Sequence, residues 1–582
     1  MDLKLGSIKR CGIFLFFDPA GKVDRYVTSM LKDLNKNLDH LLVVCNGYVE
    51  PKGIHDLQQV SSEVISRANV GFDVGGYREG LFYMGWKFLG QFDEILMLNY
   101  TIFGPIYPFK EMFDTMAGKN ISFWGISKHH KVDPDPFHKV SYGYLPEHIQ
   151  SHFLVLRRDL FMSYQYRDFI CNMKNPENYV ESVCGYEAIF TKYFEDLGFQ
   201  WEVYVESSEY EGYAYNPLMF YPKEVVEKKR CPIVKRRSFF TTYSDFLLNT
   251  CGEPSAELYK YLREELHYDM DPIWDNLLRL ENHAAIHRCL HLNYMLESYD
   301  SEYPWDKKAV VILVIESTRR LSWYQRFLRE IPVKLDVILC GTKENCEKVH
   351  NMEALIGKTV REYVYETEGY LQMILKTSIQ IQRKRYQYVG ILHMTEIEST
   401  EQPYSNEVSW QYSDWENLLH NGHTVENLLQ TFEENPRMGM CIPPLPEFGR
   451  VFAKIGDGWG RIYGQVCEKL HERGVFVSTN SGEYPLAPWG GSFWMKGELF
   501  GNLRDYLREE DEKEFMLMLP FLVQQMGYYT GICYSDSWAP VAVTNQDYMM
   551  RENNKAVFQK YGANVLPVVV KRIRDGDFEN GE

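Results

Sequence analysis

Short apolar runs that stop abruptly at polar residues are what most restricts how this chain can fold. CGIFLFF from Cys11, LLVVCN over Leu41–Asn46 and the stretch Ile95–Leu98 are continuous rather than alternating. Continuous runs of this length read as strands of a parallel sheet covered on both faces. Between the first two lies a stretch whose Val23, Tyr26, Val27, Met30, Leu31, Leu34 and Leu38 share one helical face. EVISR, Glu63–Arg67, is a further strand. A helix over Tyr77–Leu89 then leads into the strand that ends at Asn99, Tyr100 and Thr101. The order β-α-β-(β)-α-β predicts an α/β fold.

The pattern starts again at Ala309 with AVVILVI, followed by a WYQRFLREI helix, an LDVILCG strand, REYVYETEGY, a YLQMILKTSIQIQ helix and the strand Tyr386–His393. From first strand to last polar tip the spacing is roughly 85 residues in both halves, the mark of a repeated unit. Two tandem Rossmann-like domains follow, at 1–240 and 306–582, joined by a helical connector at 241–305. The acidic, proline-containing YDSEYPWDKK, Tyr299–Lys308, marks the second boundary.

Polar residues just past the carboxyl end of a central strand are where open α/β sheets bind nucleotides and phosphates. RANVGFDVGGYREG, Arg67–Gly80, sets Asn69, Asp73 and Arg78 among glycines ahead of the strand that ends in Asn99 and Thr101. Asp73 suits a base or ribose hydroxyl, and Gly71, Gly75 and Gly76 permit close backbone approach to a ligand. The competing structural reading is a tight turn with aspartate as a helix cap. The coincidence of three polar groups with three glycines favours a nucleotide-sugar loop.

A net charge of −17 and the lack of a basic, aromatic-interleaved stripe argue against nucleic-acid binding. The local exception, KKRCPIVKRR at Lys228–Arg237, is either a solvated turn or a contact for a diphosphate or an anionic membrane surface. Twelve cysteines without CxxC or zinc spacing read as buried hydrophobes in a reducing compartment, and Cys45 and Cys340 lie within apolar runs. MDLKLGSIKR does not read as a signal peptide, and no apolar run is long enough to span a bilayer. A cytoplasmic protein is expected, meeting the inner membrane face only peripherally.

Several segments in order resemble the rhamnan synthesis protein F family of bacterial surface-polysaccharide assembly. RANVGFDVGGYREGL resembles its R-x-N-x-G-x-D-x-G segment, NYTIFGPIYPF its N-D-S-x-x-G-P stretch, and FWGIS at Phe123 its F-W-G-x-T. HIQSHFLVL at His148 resembles H-x-Q-S-Y-F, GYEAIFTKYFEDLGF at Gly185 its Y-E-x-x-x-T helix, and CPIVKRRSF at Cys231 its P-F-I-K-x-K-x-F tail. In the second half LHMTEIES at Leu392 and GGSFWMKGEL at Gly490 resemble L-H-T-K-K-S and G-x-M-F-W. The resemblance implies tandem type A glycosyltransferase-like domains and transfer of rhamnose from dTDP-rhamnose to a lipid-linked polysaccharide acceptor.

Such a transfer must hold the donor nucleotide, neutralise the leaving diphosphate and deprotonate an acceptor hydroxyl. Glu187 is the candidate base, at the start of the helix Ala188–Leu197 where the resemblance places a catalytic carboxylate; a helix N-terminal glutamate favoured by the macrodipole is the structural alternative. His148 and Gln150, with Ser151, are candidate acceptor contacts, and Lys235 and Arg236 candidate diphosphate contacts beside Arg78. Enzymes of this fold class hold a divalent ion, Mg or Mn, on an acidic motif after the central strand. Here the family's aspartate falls at Tyr100, which does not bind such an ion as a carboxylate does, so no metal ligand is assigned. In the second half His393, Trp489 and Trp494 are the ligand candidates. Glu396 replaces a family lysine there, and TEGYL at Thr367 lacks the family's arginines and aspartate. The non-enzymatic alternative is a glycan-binding scaffold subunit.

Overall fold

The computed structural model describes residues 8–301, 303–365, 369–384, 386–395, 406–445, 458–459, 462–506 and 512–562. Glu396 and Thr367 lie outside the described residues. The chain divides into two compact units, one running to Leu277 and taking in Arg288–His291, the other made of Leu278–His287 and the chain from Leu292 onward. The helical stretch expected as a connector is thereby apportioned between them: Ser244–Thr250, Glu253–Lys260 and most of Asp271–Leu280 go to the first, and much of His283–Leu290 to the second.

The first unit is built on seven strands: β1 (Arg10–Phe16), β2 (His40–Asn46), β3 (Glu63–Arg67), β4 (Glu94–Asn99), β5 (Phe123–Gly125), β6 (Phe153–Arg157) and β7 (Trp201–Val203). Their spatial order is β7-β5-β6-β4-β1-β2-β3. All pair in parallel except β6, which runs antiparallel between β4 and β5. Helix α1 (Arg25–Leu34) buries the expected Tyr26, Val27, Met30, Leu31 and Leu34, and helix α2 (Pro51–Gln58) joins β2 to β3. From β1 the chain winds outward through β2 and β3 and then returns to β4 on the other side of β1. This reversal opens a crevice at the carboxyl ends of β1 and β4.

The second unit has β8 (Asn293–Leu296), β9 (Ala309–Ile315), β10 (Asp336–Gly341), β11 (Thr359–Val364), β12 (Tyr388–Met394), β13 (Met438–Ile442), β14 (Phe493–Lys496) and β15 (Tyr529–Ser535). Their order is β8-β15-β13-β14-β12-β9-β10-β11, again with one antiparallel strand, β14, beside the fourth of the series. Apart from the added edge strand β8, the order and directions repeat those of the first sheet. The register repeats as well: Leu15 faces Asn99, and Val314 faces His393, one residue before the first strand of each sheet ends.

The glycine-rich segment departs from expectation. It is not a loop but the opening of helix α3 (Phe72–Met84), which begins five residues before the expected Tyr77 and is entered through Gly71 at φ +77°. A Cβ on Gly76 would lie 2.3 Å from Leu15 Cδ1, and one on Gly80 2.8 Å from Ile13 Cγ2. These two glycines, one turn apart, let the helix close onto β1. Gly75 likewise faces the Val70 carbonyl, at 2.7 Å from a built Cβ. Their room is taken up by protein rather than left for a ligand. Asp73 is carried at the amino end of the helix, over the crevice.

All twelve cysteines are free, and Cys45 and Cys340 are fully buried, with thiols pushed up to about 12 by burial. Among the described residues no helix is long and apolar enough to cross a membrane.

Candidate functional site

Four chain segments bring polar side chains together at the crevice of the first unit. From α3 comes half-buried Asp73, whose Oδ2 accepts from Ser151 Oγ at 3.0 Å and from Asn99 Nδ2 at 3.4 Å, while Oδ1 accepts from Ser182 Oγ at 3.3 Å. From the tip of β4 comes Asn99, 4 % exposed, whose Oδ1 accepts from the Thr101 amide at 3.1 Å and its hydroxyl at 2.6 Å. The third segment, His148–His152, arrives beside Asn99 because β6 is antiparallel: its first residue, Phe153, pairs with Leu98. The fourth is the helical run from Tyr179 to Asp196, interrupted by a wide π-type turn at Val183–Glu187. Such turns recur at functional sites because the inserted residue redirects a side chain. Here it carries Glu187, whose Oε1 accepts the Ser151 N–H at 2.9 Å. A small apolar cluster of Val140, Leu145, Val183, Cys184 and Ala188 packs the preceding loop against this turn.

The two carboxylates set the field of the site. Burial holds the Asp73 carboxyl above its usual range, repulsion from Glu187 raises it further, and the hydrogen bonds from Ser151 and Ser182 oppose both. A cation answers them. The two-residue strand Val234–Lys235 pairs antiparallel with Ile102–Phe103, immediately after the β4 tip. The Lys235 ammonium makes no hydrogen bond or ion pair with the described residues. Burial lowers its pKa, against the pull of Glu187 and Asp73. A desolvated ammonium with no protein acceptor, facing two carboxylates at a sheet switch point, is suited to receive an anionic ligand.

Histidines line the same corner. His148 is buried, donates Nδ1–H to the Pro146 carbonyl at 2.7 Å, and is held below the ordinary histidine pKa by burial. His129, its cross-strand partner, stacks on it with ring centroids 5.1 Å apart and an interplanar angle of 11°. Burial first, then His148, brings the His129 pKa down to about 3. His152 is 3 % exposed, and neither ring nitrogen has a hydrogen-bond partner among the described residues.

Several expected contacts are engaged elsewhere. Arg78 binds the Met173 carbonyl and, at 2.6 Å, Asn175 Oδ1, so it ties α3 to the 173–175 loop instead of reaching a phosphate. Asn69 is exposed in the turn before Gly71 and makes none of the contacts of the Asp73 cluster. Gln150 is buried, accepting from Ser127 Oγ at 2.8 Å. Arg236 donates to Asn276 Oδ1 at 2.9 Å, and its guanidinium lies about 6 Å from the Tyr100, Phe103 and Phe240 rings, a packed structural cation. In the basic run, Lys229 pairs with Glu209 at 3.1 Å, Arg230 with Glu111 at 2.8 Å, and the exposed Arg237 donates to the Tyr243 hydroxyl. Sequence reasoning passed over Ser182 and His152. HIQSHF displayed the second histidine, but nothing marked Ser182, 109 residues from its aspartate partner.

The site does not fit a divalent ion. Asn99 is committed to Thr101 and Asp73, and the Tyr100 ring packs near Phe16 and Phe17 at 6.5 and 6.0 Å. Among the described residues no group of three or more histidine, cysteine, aspartate or glutamate side chains is placed to hold a metal.

In the second unit the corresponding corner is self-contained. His393 Nε2 lies 2.8 Å from Glu316 Oε2, its Nδ1 3.2 Å from the Gly490 carbonyl, and its ring 4.4 Å from Tyr370. Trp489 is half-buried. Trp494 is not available to a ligand: it is fully buried, gives its Nε1–H to the Leu418 carbonyl at 3.2 Å and fills the space over Gly390.

Sheet and crevice define a Rossmann-like α/β protein with a polar site at the carboxyl edge of its central strands. The chain belongs to the rhamnan synthesis protein F family, whose model matches residues 41–515. No curated protein matches the sequence. Among solved structures, similarity is found to the glycosyltransferase GlyE of Streptococcus pneumoniae TIGR4, at 12 % identity over 68 % of this chain and 94 % of that one, with a TM-score of 0.23. It is found also to the mannosyltransferase Ktr4p of S. cerevisiae, at 11 % identity over 28 % and 60 %, with a TM-score of 0.21. A third is 4-diphosphocytidyl-2C-methyl-D-erythritolsynthase of Anaerococcus prevotii DSM 20548, at 11 % identity over 34 % and 86 %, with a TM-score of 0.23. Likeness this slight bears no weight for function.

Proposed function

We propose that the first unit transfers a sugar from a nucleotide diphosphate donor to a glycan acceptor in surface-polysaccharide synthesis. Family membership supports the reaction class, and the family's name favours dTDP-rhamnose as donor and a lipid-linked polysaccharide as acceptor, met at the inner membrane face. The observation that carries the reading is Lys235, half-buried and with no acceptor for its ammonium among the described residues, under the pull of Asp73 and Glu187. It is suited to neutralise the leaving diphosphate without a metal ion. Asp73 and Asn99 form the polar floor on which the donor is read, and the His148–Glu187 corner receives the acceptor proton. The shared strand order supports reading the units as tandem type A glycosyltransferase-like domains. The second unit, its polar corner closed by Glu316 and Tyr370, binds acceptor or a different donor.

Titration calorimetry with dTDP, UDP and GDP, with and without Mg²⁺, tests this. Metal-independent binding of one nucleotide is expected, and no binding of any of them overturns the reading. A second reading, a glycan-binding scaffold, is favoured by Tyr100 in place of a carboxylate. Glycan binding without nucleotide binding would establish it.

A further inference from the structure

We propose that His148 Nε2 is the base that takes the proton from the acceptor hydroxyl, and that Glu187 holds the imidazolium charge that results. The assignment rests on the transferase reading above. A carbonyl oxygen has no proton to give, so the 2.7 Å contact between His148 Nδ1 and the Pro146 carbonyl fixes the tautomer: Nδ1 carries the hydrogen. In the neutral ring Nε2 is then a bare lone pair. It has no hydrogen-bond partner among the described residues and is not among the sealed, partnerless atoms, in contrast to both nitrogens of His152. The ring is held in place by the ribbon that pairs His129 with His148 and by the stacked His129 imidazole. Tyr215 packs on the far side, 5.3 Å from His129.

The charged groups around the ring divide the roles. Glu187, on the π-type turn, and Glu147, next in the chain, favour the protonated ring. Burial, the largest effect, disfavours it, Lys235 from the facing ribbon acts in the same direction, and together they outweigh the two glutamates and the Pro146 hydrogen bond. His129 stays neutral over the working range, being held near 3. Glu187 has one oxygen bound to the Ser151 amide. That contact fixes its place beside His148 and makes it the positioning carboxylate.

In the step, the acceptor O–H proton passes to His148 Nε2 and the acceptor oxygen forms a bond to the donor's anomeric carbon. The bond from that carbon to the diphosphate oxygen breaks, and its electron pair leaves with the nucleoside diphosphate, whose charge Lys235 meets. The imidazolium returns its proton to water.

The experiment measures nucleoside diphosphate release from dTDP-rhamnose, UDP-glucose and GDP-mannose, water serving as acceptor, across pH. H148N keeps an amide donor for the Pro146 carbonyl but removes the lone pair. It should retain nucleotide affinity by calorimetry and lose kcat on the order of 100-fold or more, as expected for removal of a general base. The acid limb of the wild-type pH profile should vanish in H148N. In E187Q, loss of the charge that supports the imidazolium should move that limb to lower pH. An H148N enzyme with an unchanged acid limb, or with less than about a tenfold loss of kcat, overturns the assignment. Absence of release by the wild-type protein overturns the transferase reading itself, a separate outcome.

Discussion

Replacing Lys235 by methionine keeps the length of the side chain and removes its charge. Among the described residues its ammonium has no hydrogen bond or ion pair, so the substitution breaks no contact there, and the loss falls on whatever anion the site receives. A lysine donating to a diphosphate makes charge-assisted hydrogen bonds of about 1.5–3 kcal/mol each. With one of them lost, Kd for dTDP should rise by roughly 10-fold to about 160-fold. Thymidine, which lacks the diphosphate, should bind K235M and wild type alike. Because the ammonium is desolvated, the difference should persist at 0.5 M salt, whereas a surface contact would be screened. The neighbouring R236M supplies the contrast. It removes a guanidinium bound to Asn276 and packed among aromatic rings, so it should lower thermal stability and leave the ratio of dTDP to thymidine affinity unchanged. Titration calorimetry of the three proteins decides the matter. A K235M protein that binds dTDP within about threefold of wild type refutes the assignment of Lys235 to the diphosphate.

Gly76→Ala should destabilise the first unit by about 1–3 kcal/mol through overpacking on Leu15, less roughly 1 kcal/mol of gained helix propensity; urea unfolding should show that Leu15→Ala relieves part of the loss. Trp494→Ala should cost about 3–5 kcal/mol in the second unit and leave nucleotide binding intact, and weakened nucleotide binding without loss of stability would restore it as a ligand residue. His129 and His283 titrate near 3 in the folded protein, both through burial first, against about 6.5 unfolded. The unfolded chain therefore takes up protons that the folded one refuses, so this stability is present above about pH 6.5 and is lost as pH falls toward 3. Each ring should contribute a loss of about 2.5 kcal/mol between pH 7 and pH 4.5. H283Q should flatten that slope for the second unit in urea titrations, and an unchanged slope would show that His283 is not the titrating group.

The apolar runs determined the sheets. A continuous run such as AVVILVI has no polar face to show to water, so it becomes a strand covered on both sides, and CGIFLFF and LLVVCN follow the same rule. Asp73 and Asn99 were legible because small polar groups beside glycines and at strand ends have few other uses. What only the tertiary structure decided was which charges are free. Arg78, Lys235 and Arg236 look alike in sequence. The fold gives Arg78 to the 173–175 loop and Arg236 to Asn276 and the aromatic rings, and leaves the Lys235 ammonium without a partner among the described residues. The same holds for the glycines, whose partners Leu15 and Ile13 lie more than sixty residues away, and for Ser182. Local pattern fixes what a segment becomes, because periodicity is a short-range property. Hydrogen-bond partners and desolvation depend on contacts between distant segments, and those exist only once the sheet has brought their ends together.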